Sequence, residues 1–169
     1  MRHKRILIIG SSGAGKSTLA RILHQQLGLP LVHLDQLYWQ PGWVATEKPV
    51  FREKMLVELE KPEWIMDGNF DSTLGLRAQY ADLIILLNYP KYISFTRAMK
   101  RYLIHIGHTR EDMTPGCQEQ MDWEFAKWIW TYNTKALPPI LQFLSTVQID
   151  SVIINHPKQL KKWLKDYCE

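Results

Sequence analysis

Residues 5–30, RILIIGSSGAGKSTLARILHQQLGLP, join an apolar run to a helical pattern through a string of small residues. Ile6, Leu7, Ile8 and Ile9 contain no polar position, the pattern of a strand covered on both faces in a parallel sheet. From Lys16 the period changes. Leu19, Ala20, Leu23 and Leu27 recur at helical spacing, and Gly28 with Pro30 ends the helix. Between the two, Gly10-Ser11-Ser12-Gly13-Ala14-Gly15-Lys16-Ser17 matches G-x-x-x-x-G-K-[ST] in the strand-then-helix context that this pattern requires. The glycines let successive backbone N–H groups turn inward as an anion nest, and the helix dipole adds partial positive charge there. The implied ligand is a polyphosphate, and ATP with Mg²⁺ is the expected pair. Lys16 is placed to reach the β and γ phosphates, and the Ser17 hydroxyl to hold a magnesium ion bridging them. Thr18 supports the first helical turn.

Strand and helix patterns alternate along the rest of the chain. Strands are expected at Leu31–Leu34, over "EWIMDGNF" up to Asp67, over "DLIILLNYP" and over "VQIDSVII". Helices are expected from about Val50 to Glu60, along the stripe Phe95, Ala98, Met99, Tyr102, Leu103 and Ile106, and along Met121, Phe125, Trp128, Ile129 and Tyr132. Two more are expected to open at Pro138-Pro139 and at Pro157. The stripe Phe125, Trp128 and Tyr132 reads as core. Such alternation implies an α/β chain with a parallel sheet covered on both faces and ligands at the carboxyl ends of its strands. Gly10, Asp35, Asp67 and Asn88 each follow the last apolar residue of an expected strand, so all four belong on one rim; His33 and Asn88 read as satisfied strand-end residues.

At 169 residues and 46% hydrophobic content the chain is expected to form a single domain over 1–169 with a sizeable core. No apolar run reaches the roughly 18 residues of a membrane span. The start MRHKRILIIG has neither the length nor the cleavage site of a signal peptide, so a cytoplasmic location is expected. Cys117 and Cys168 stand at no metal-ligand spacing and are expected to be reduced. Of the net charge of +4, much is local: residues 91–110 contain five Lys or Arg and no acid. No helix-turn-helix, finger or RNA-binding signature accompanies this basic segment, which leaves nucleic acid a weakly supported partner.

The order of the phosphate loop, "HLDQLYWQPGW", "WIMDGNF", "MKRYLIHIGHTREDMTPGC" and "WIWTYN" resembles the bacterial DNA topology-modulation family, an adenylate-kinase-like group of P-loop proteins. The resemblance covers residues 4 to about 163. It implies a three-layer, nucleoside-kinase-like P-loop fold with a five-stranded parallel sheet of order 2-3-1-4-5 and a short arginine-bearing lid, about residues 107–120. By the same resemblance Arg97 faces the adenine of the nucleotide, and Arg101 and Arg110 face the transferring phosphoryl group. Arginines so placed neutralise charge on the equatorial oxygens and exclude water. An ordinary basic helix face is the structural alternative.

One departure concerns the acceptor. Adenylate kinases read the acceptor phosphate with an arginine in a Gly-Phe-Pro-Arg run after the third strand, where this chain has Asp67-Gly68-Asn69-Phe70. Arg77 is the candidate substitute, but Asp67 opposes a phosphate there. Asp35 takes the place where small-molecule kinases carry a carboxylate for the acceptor hydroxyl. Asp67 follows its apolar strand as a Walker B aspartate does, and is expected to reach Ser17's magnesium through water; capping the turn at Gly68 is the alternative. Tyr38, Trp39 and Trp43 either stack on a planar acceptor or close the loop around Pro41-Gly42. The resulting expectation is a magnesium-dependent, ATP-using phosphotransferase with an unidentified small acceptor such as a nucleoside or nucleotide. The rival is a nucleotide-gated regulator with slow hydrolysis.

The phosphate loop generates a direct test. Lys16→Ala should leave the fold intact and remove the rise in melting temperature produced by ATP, because one charge on the phosphates is lost while the sheet is untouched. Thermal unfolding with and without ATP reads the outcome.

Overall fold

The computed structural model describes residues 3–168. Five parallel strands form its central sheet: β1 (Arg5–Gly10), β2 (Leu31–His33), β5 (Trp64–Asp67), β6 (Leu83–Leu87) and β7 (Asp150–Ile154). Their spatial order is β2-β5-β1-β6-β7, which is 2-3-1-4-5 when only these strands are counted. β1, β5 and β6 lie inside the sheet, and this explains their unbroken apolar sequences: Ile6 to Ile8, Trp64 to Met66 and Leu83 to Leu87 are almost wholly shielded from solvent.

Side-chain alternation along the strands divides the core into two layers. Leu7, Ile9, Met66, Ile84 and Leu86 face α3 (Lys48–Leu59) and α7 (Leu137–Thr146), meeting Phe51, Met55 and Leu59 of the first and Leu137, Ile140 and Leu144 of the second. Ile6, Ile8, Ile65, Leu83 and Ile85 face α1 (Lys16–Leu27) and α8 (Pro157–Cys168), through Leu19, Ala20 and Leu23 of α1 and Leu160 and Trp163 of α8. α1 ends at Gly28, whose left-handed backbone (φ 72°) returns its N–H to the His24 carbonyl.

Three features depart from the sequence expectations. The expected strand Leu31–Leu34 stops at His33, and Leu34 opens a short helix α2 (Leu34–Tyr38), followed by a two-stranded hairpin of β3 (Trp39–Gln40) and β4 (Val44–Ala45). Asp35 therefore stands on a helical turn beyond the strand end, while Asp67 is the last residue of β5, paired in register with His33 and Ile8. Second, α5 (Lys91–His105) does not bury its large apolar stripe: Ser94 and Ala98 are its buried residues, whereas Leu103 and Ile106 are more than half exposed. Third, in α6 (Trp123–Lys135) Ile129 and Tyr132 are core, but Phe125 and Trp128 are not.

The small face of α5 has a steric cause. Gly13 (φ 79°) lies so close to α5 that an added Cβ would sit 2.1 Å from the Ser94 carbonyl oxygen and 2.9 Å from the Ala98 nitrogen. With no Cβ at Gly13, the α5 backbone at Ser94 and Ala98 approaches the phosphate loop directly, and these two small residues are the buried ones of the helix.

Arg77, on α4 (Leu74–Ala78), is fully buried. It donates to the carbonyls of Gly68 (3.0 Å), Asn69 and Phe70 (3.2 Å) and to Thr73 Oγ1 (3.0 Å), which fixes the loop after β5. Burial pushes the guanidinium pKa down to about 10, with Asp71 opposing the shift. This removes Arg77 as a reader of an acceptor phosphate, because its donors are spent on the loop. Arg77→Leu should strand several buried carbonyls and cost about 3 kcal/mol or more. Urea unfolding of the variant checks this.

Candidate active site

The phosphate loop is held at its start from two sides. The Gly10 N–H donates to Asn69 Oδ1 (3.1 Å), tying the loop start to the segment after β5. An added Cβ on Gly10 would lie 2.6 Å from the Leu87 carbonyl oxygen, so β6 closes the other side. Gly15 is left-handed (φ 95°) and delivers Lys16 to the first helical position. Lys16 Nζ donates to the Ser11 carbonyl (3.0 Å). Burial pushes its ammonium pKa down to about 8, with Asp67 and Asp35 acting against the shift and Arg101 and Arg110 adding to it.

Arg97 and Arg101 share the α5 face that carries Ser94 and Ala98. The Arg97 guanidinium lies beside Gly15 and over the Tyr89 ring at 5.4 Å. Arg101 Nη2 donates to Ser12 Oγ (3.3 Å), and its Nε to Glu119 Oε1 (3.0 Å). Arg110 comes from the loop after α5, with Nε 2.6 Å from Glu119 Oε2 and Nη1 donating to Asp112 Oδ2 (3.0 Å). One buried carboxylate, Glu119, thus orders both arginines. Ser17 and Asp112 stand together where two cavities meet. Burial works against the ionised form of Asp112, yet Arg110, Ser17 and His33 hold its pKa below the usual carboxylate value.

The loop carrying Arg110 is closed over the site. It pairs with itself through Ile106–Glu119 and Thr109–Gln118 bridges and docks on the β3–β4 hairpin. Gly42 N–H donates to the Gly116 carbonyl (3.1 Å), Trp43 Nε1 to that of Gln118 (2.8 Å) and Thr114 Oγ1 to that of Trp39 (2.6 Å). The buried Cys117 thiol donates to the Gln40 carbonyl (3.2 Å). Trp39 and Trp43 therefore hold this loop and also line the smaller cavity, whereas Tyr38 packs edge-on against Phe51 and tilted against Phe70.

Two cavities converge here. The larger, about 890 Å³, runs from Gly13, Gly15 and Thr18 past Arg97 and Tyr89 to α8. The second, about 550 Å³, lies on the other side of Lys16 and contains Asp35, Asp67, Trp39, Trp43, Phe125 and Trp128. Lys16, Ser17, Arg101, Arg110 and Asp112 border both.

Asp67 lines the smaller cavity and accepts from His33 Nδ1 (2.6 Å) through one oxygen. Asp35 lies beside it, and burial raises its pKa, with Lys16 opposing and Asp67 reinforcing the shift. Asn88 donates to Asn155 Oδ1 (2.7 Å) at the end of β6 and borders neither cavity. Among the described residues no group of three His, Cys, Asp or Glu forms a metal cage. The donor set instead fits Mg²⁺, which keeps waters and phosphate oxygens and takes few protein ligands: the Ser17 hydroxyl, with Asp67 and Asp112 on the same wall. Sequence reasoning missed Asp112, Glu119, Asn69, Phe125 and Trp128. "TREDMTPGCQEQ" held the acids in plain view, but no spacing rule marks a loop carboxylate that folds back onto a helix.

These features define a P-loop kinase fold. The chain is 22% identical to shikimate kinase from Bacteroides thetaiotaomicron, with a TM-score of 0.54 over 97% of this chain and 95% of that one. Against a putative kinase from Chloroflexus aurantiacus the values are 18%, 0.54, 97% and 98%. Deoxyadenosine kinase from M. mycoides, solved with bound dATP, gives 15% and 0.51 over 99% and 100%. In sequence the chain is 28% identical over 138 residues to the uncharacterized protein YqaC of Bacillus subtilis, covering 79% of this chain and 75% of that protein. No family model matches. Among the described residues no helix is long and apolar enough to cross a membrane.

The His33–Asp67 pair has a pH signature. Burial lowers the imidazole pKa, but the hydrogen bond and charge of Asp67 outweigh it and the net shift is upward. A raised folded-state pKa means stability that is complete below the unfolded value of about 6.5 and lost as pH rises through the folded value. His33→Asn should therefore cost about 1 kcal/mol more in acid than in base. Urea unfolding on either side of the His33 titration, located by NMR, measures the difference.

Proposed function

We propose that this chain is an ATP- and Mg²⁺-dependent phosphotransferase that moves the γ-phosphoryl group to the hydroxyl of a small acceptor. The observation that carries the reading is the meeting of two cavities at Lys16, Ser17, Arg101, Arg110 and Asp112. A nucleotide laid along the larger cavity would point its terminal phosphate into the smaller one, and a protein that only senses nucleotide needs no second chamber there.

In this reading the backbone of residues 10–18 and Lys16 cradle the phosphates, and Arg97 lies along the nucleotide side. Bound Mg²⁺, held by Ser17 with Asp67 acting through water, would neutralise charge between the β and γ phosphates. Arg101 and Arg110 face the transferred group. The acceptor oxygen forms a bond to the γ phosphorus as the bond to the β–γ bridging oxygen breaks, and ADP leaves with that electron pair. Asp35 takes the hydroxyl proton, a role suited by the upward push that burial gives its pKa. The closed loop excludes water that would otherwise compete as acceptor.

The regulator of the topology-modulation type is the rival. It would use the basic segment on duplex phosphates, but Arg101 and Arg110 are turned inward onto Glu119. Three of the segment's five basic residues, Lys91, Arg97 and Lys100, are exposed.

A melting-temperature screen of nucleotides and small hydroxyl compounds, followed by coupled ADP-release assays on the hits, tests the proposal. At least one acceptor should accelerate ADP release. Arg101→Ala and Arg110→Ala should then lower kcat at least about tenfold while ATP binding changes less, and Asp35→Asn should reduce turnover far more than ATP affinity. No acceptor-dependent ADP release, together with nucleotide-dependent DNA binding that these arginine variants lose, would establish the regulator instead.

A further inference from the structure

Resting on the phosphotransferase reading, we infer that the acceptor is a ring-bearing alcohol with no anionic group. The wall of the 550 Å³ cavity carries more acids than cations. Its three cations, Lys16, Arg101 and Arg110, all stand at the phosphate-loop end, and each is already engaged. Lys16 Nζ is on the Ser11 carbonyl, Arg101 on Glu119 and Ser12, and Arg110 between Glu119 and Asp112. The neighbouring guanidinium, Arg77, is sealed beneath the loop after β5. Acids outnumber these cations on the cavity wall: Asp112 and Glu119 pair with the arginines, and Asp35 on α2, Asp67 at the end of β5 and Asp122 at the start of α6 complete it.

A phosphate or carboxylate on the acceptor would add to this excess of negative charge, and an anion without a counter-charge of its own in a partly desolvated chamber is strongly disfavoured. A hydroxyl donating to a carboxylate satisfies both groups. The remaining wall is aromatic. Phe125 and Trp128 are parallel on α6, 7° apart with centroids separated by 6.0 Å, and Trp39 meets Trp43 edge-to-face at 5.4 Å on the hairpin. Trp128 is 36% exposed and borders the cavity, so part of its ring is open to a ligand there. A flat apolar body along these walls would place its hydroxyl towards Asp35.

Three probes with one ring and different charge test this: indole-3-ethanol (neutral), tryptamine (cationic) and indole-3-acetate (anionic). Each is titrated at millimolar concentration into ¹⁵N-labelled protein with ADP and Mg²⁺ present, and the tryptophan side-chain signals are followed by NMR. Indole-3-ethanol should bind at least roughly tenfold more tightly than the acetate. Trp128→Ala should abolish its binding while the ATP-induced rise in melting temperature persists. Gln120→Arg, adding a cation to the same wall, should narrow or reverse the preference against the acetate. The inference is overturned if the acetate binds as well as the alcohol, if no probe binds, or if Trp128→Ala leaves alcohol binding unchanged. ATP-induced stabilisation in the same samples reports separately on the phosphotransferase reading, which fails if wild type and Lys16→Ala respond alike.

Discussion

The backbone contact between Gly13 and α5 governs the geometry of the phosphate end. Because the loop residue has no Cβ and the helix offers only Ser94 and Ala98 at the contact, the two backbones approach to a distance that any larger side chain would forbid. The consequence is directional. Residues three, four and seven positions beyond Ser94 share its face, so Arg97 and Arg101 are carried onto the phosphate loop one turn apart. The same rotation turns Leu103 and Ile104 away to the surface. Position of the arginines and exposure of the leucine are thus two results of one steric fit.

Glu119 adds the electrostatic counterpart. A carboxylate with a side chain only 3% exposed would be costly alone, and two guanidinium groups near Lys16 would repel one another and the ammonium. Placed between Arg101 and Arg110, Glu119 relieves both problems and links α5 to the closing loop. The arginines are ordered before any anion arrives, which lowers the conformational entropy lost on binding. Asp112 extends the linkage through its ion pair with Arg110 and lines both cavities beside Ser17.

How much of this was legible in the sequence follows from which contacts are local. The strand, glycine loop and helix of residues 5–28 could be read because each signal is a pattern over neighbours: β-branched continuity, G-x-x-x-x-G-K-S, then helical period. The placement of Asp67 at a strand end followed likewise. The turn of Leu34 into a helix was not legible, since "LVHLDQLYW" satisfies strand and helix patterns alike and the register of β2 against β5 decides where the strand stops. The stripe Phe125, Trp128 and Tyr132 has a perfectly helical period, but period locates an apolar face without saying whether core or cavity lies opposite it. Arg77 stood as a candidate reader of the acceptor phosphate because its bonds to the carbonyls of residues 68–70 depend on a turn with a left-handed Phe70 (φ 43°) that no short pattern announces.

The separation of charge across the site is itself a product of topology. Carboxylates at the ends of adjacent parallel strands, or just beyond them as Asp35 is, collect on one side of the phosphate loop because β2 and β5 are neighbours. The arginines come from α5 and its loop, which follow β6 on the opposite side of β1. The 2-3-1-4-5 order therefore puts Asp35 and Asp67 on one flank of Lys16 and the arginines, with their paired acids Asp112 and Glu119, on the other. Lys16 feels both: Asp67 and Asp35 draw its pKa up while Arg101 and Arg110 draw it down, and burial lowers it to about 8. A phosphate group entering between the flanks meets cations on one side and, on the other, acids that repel it but accept hydrogen bonds from neutral donors.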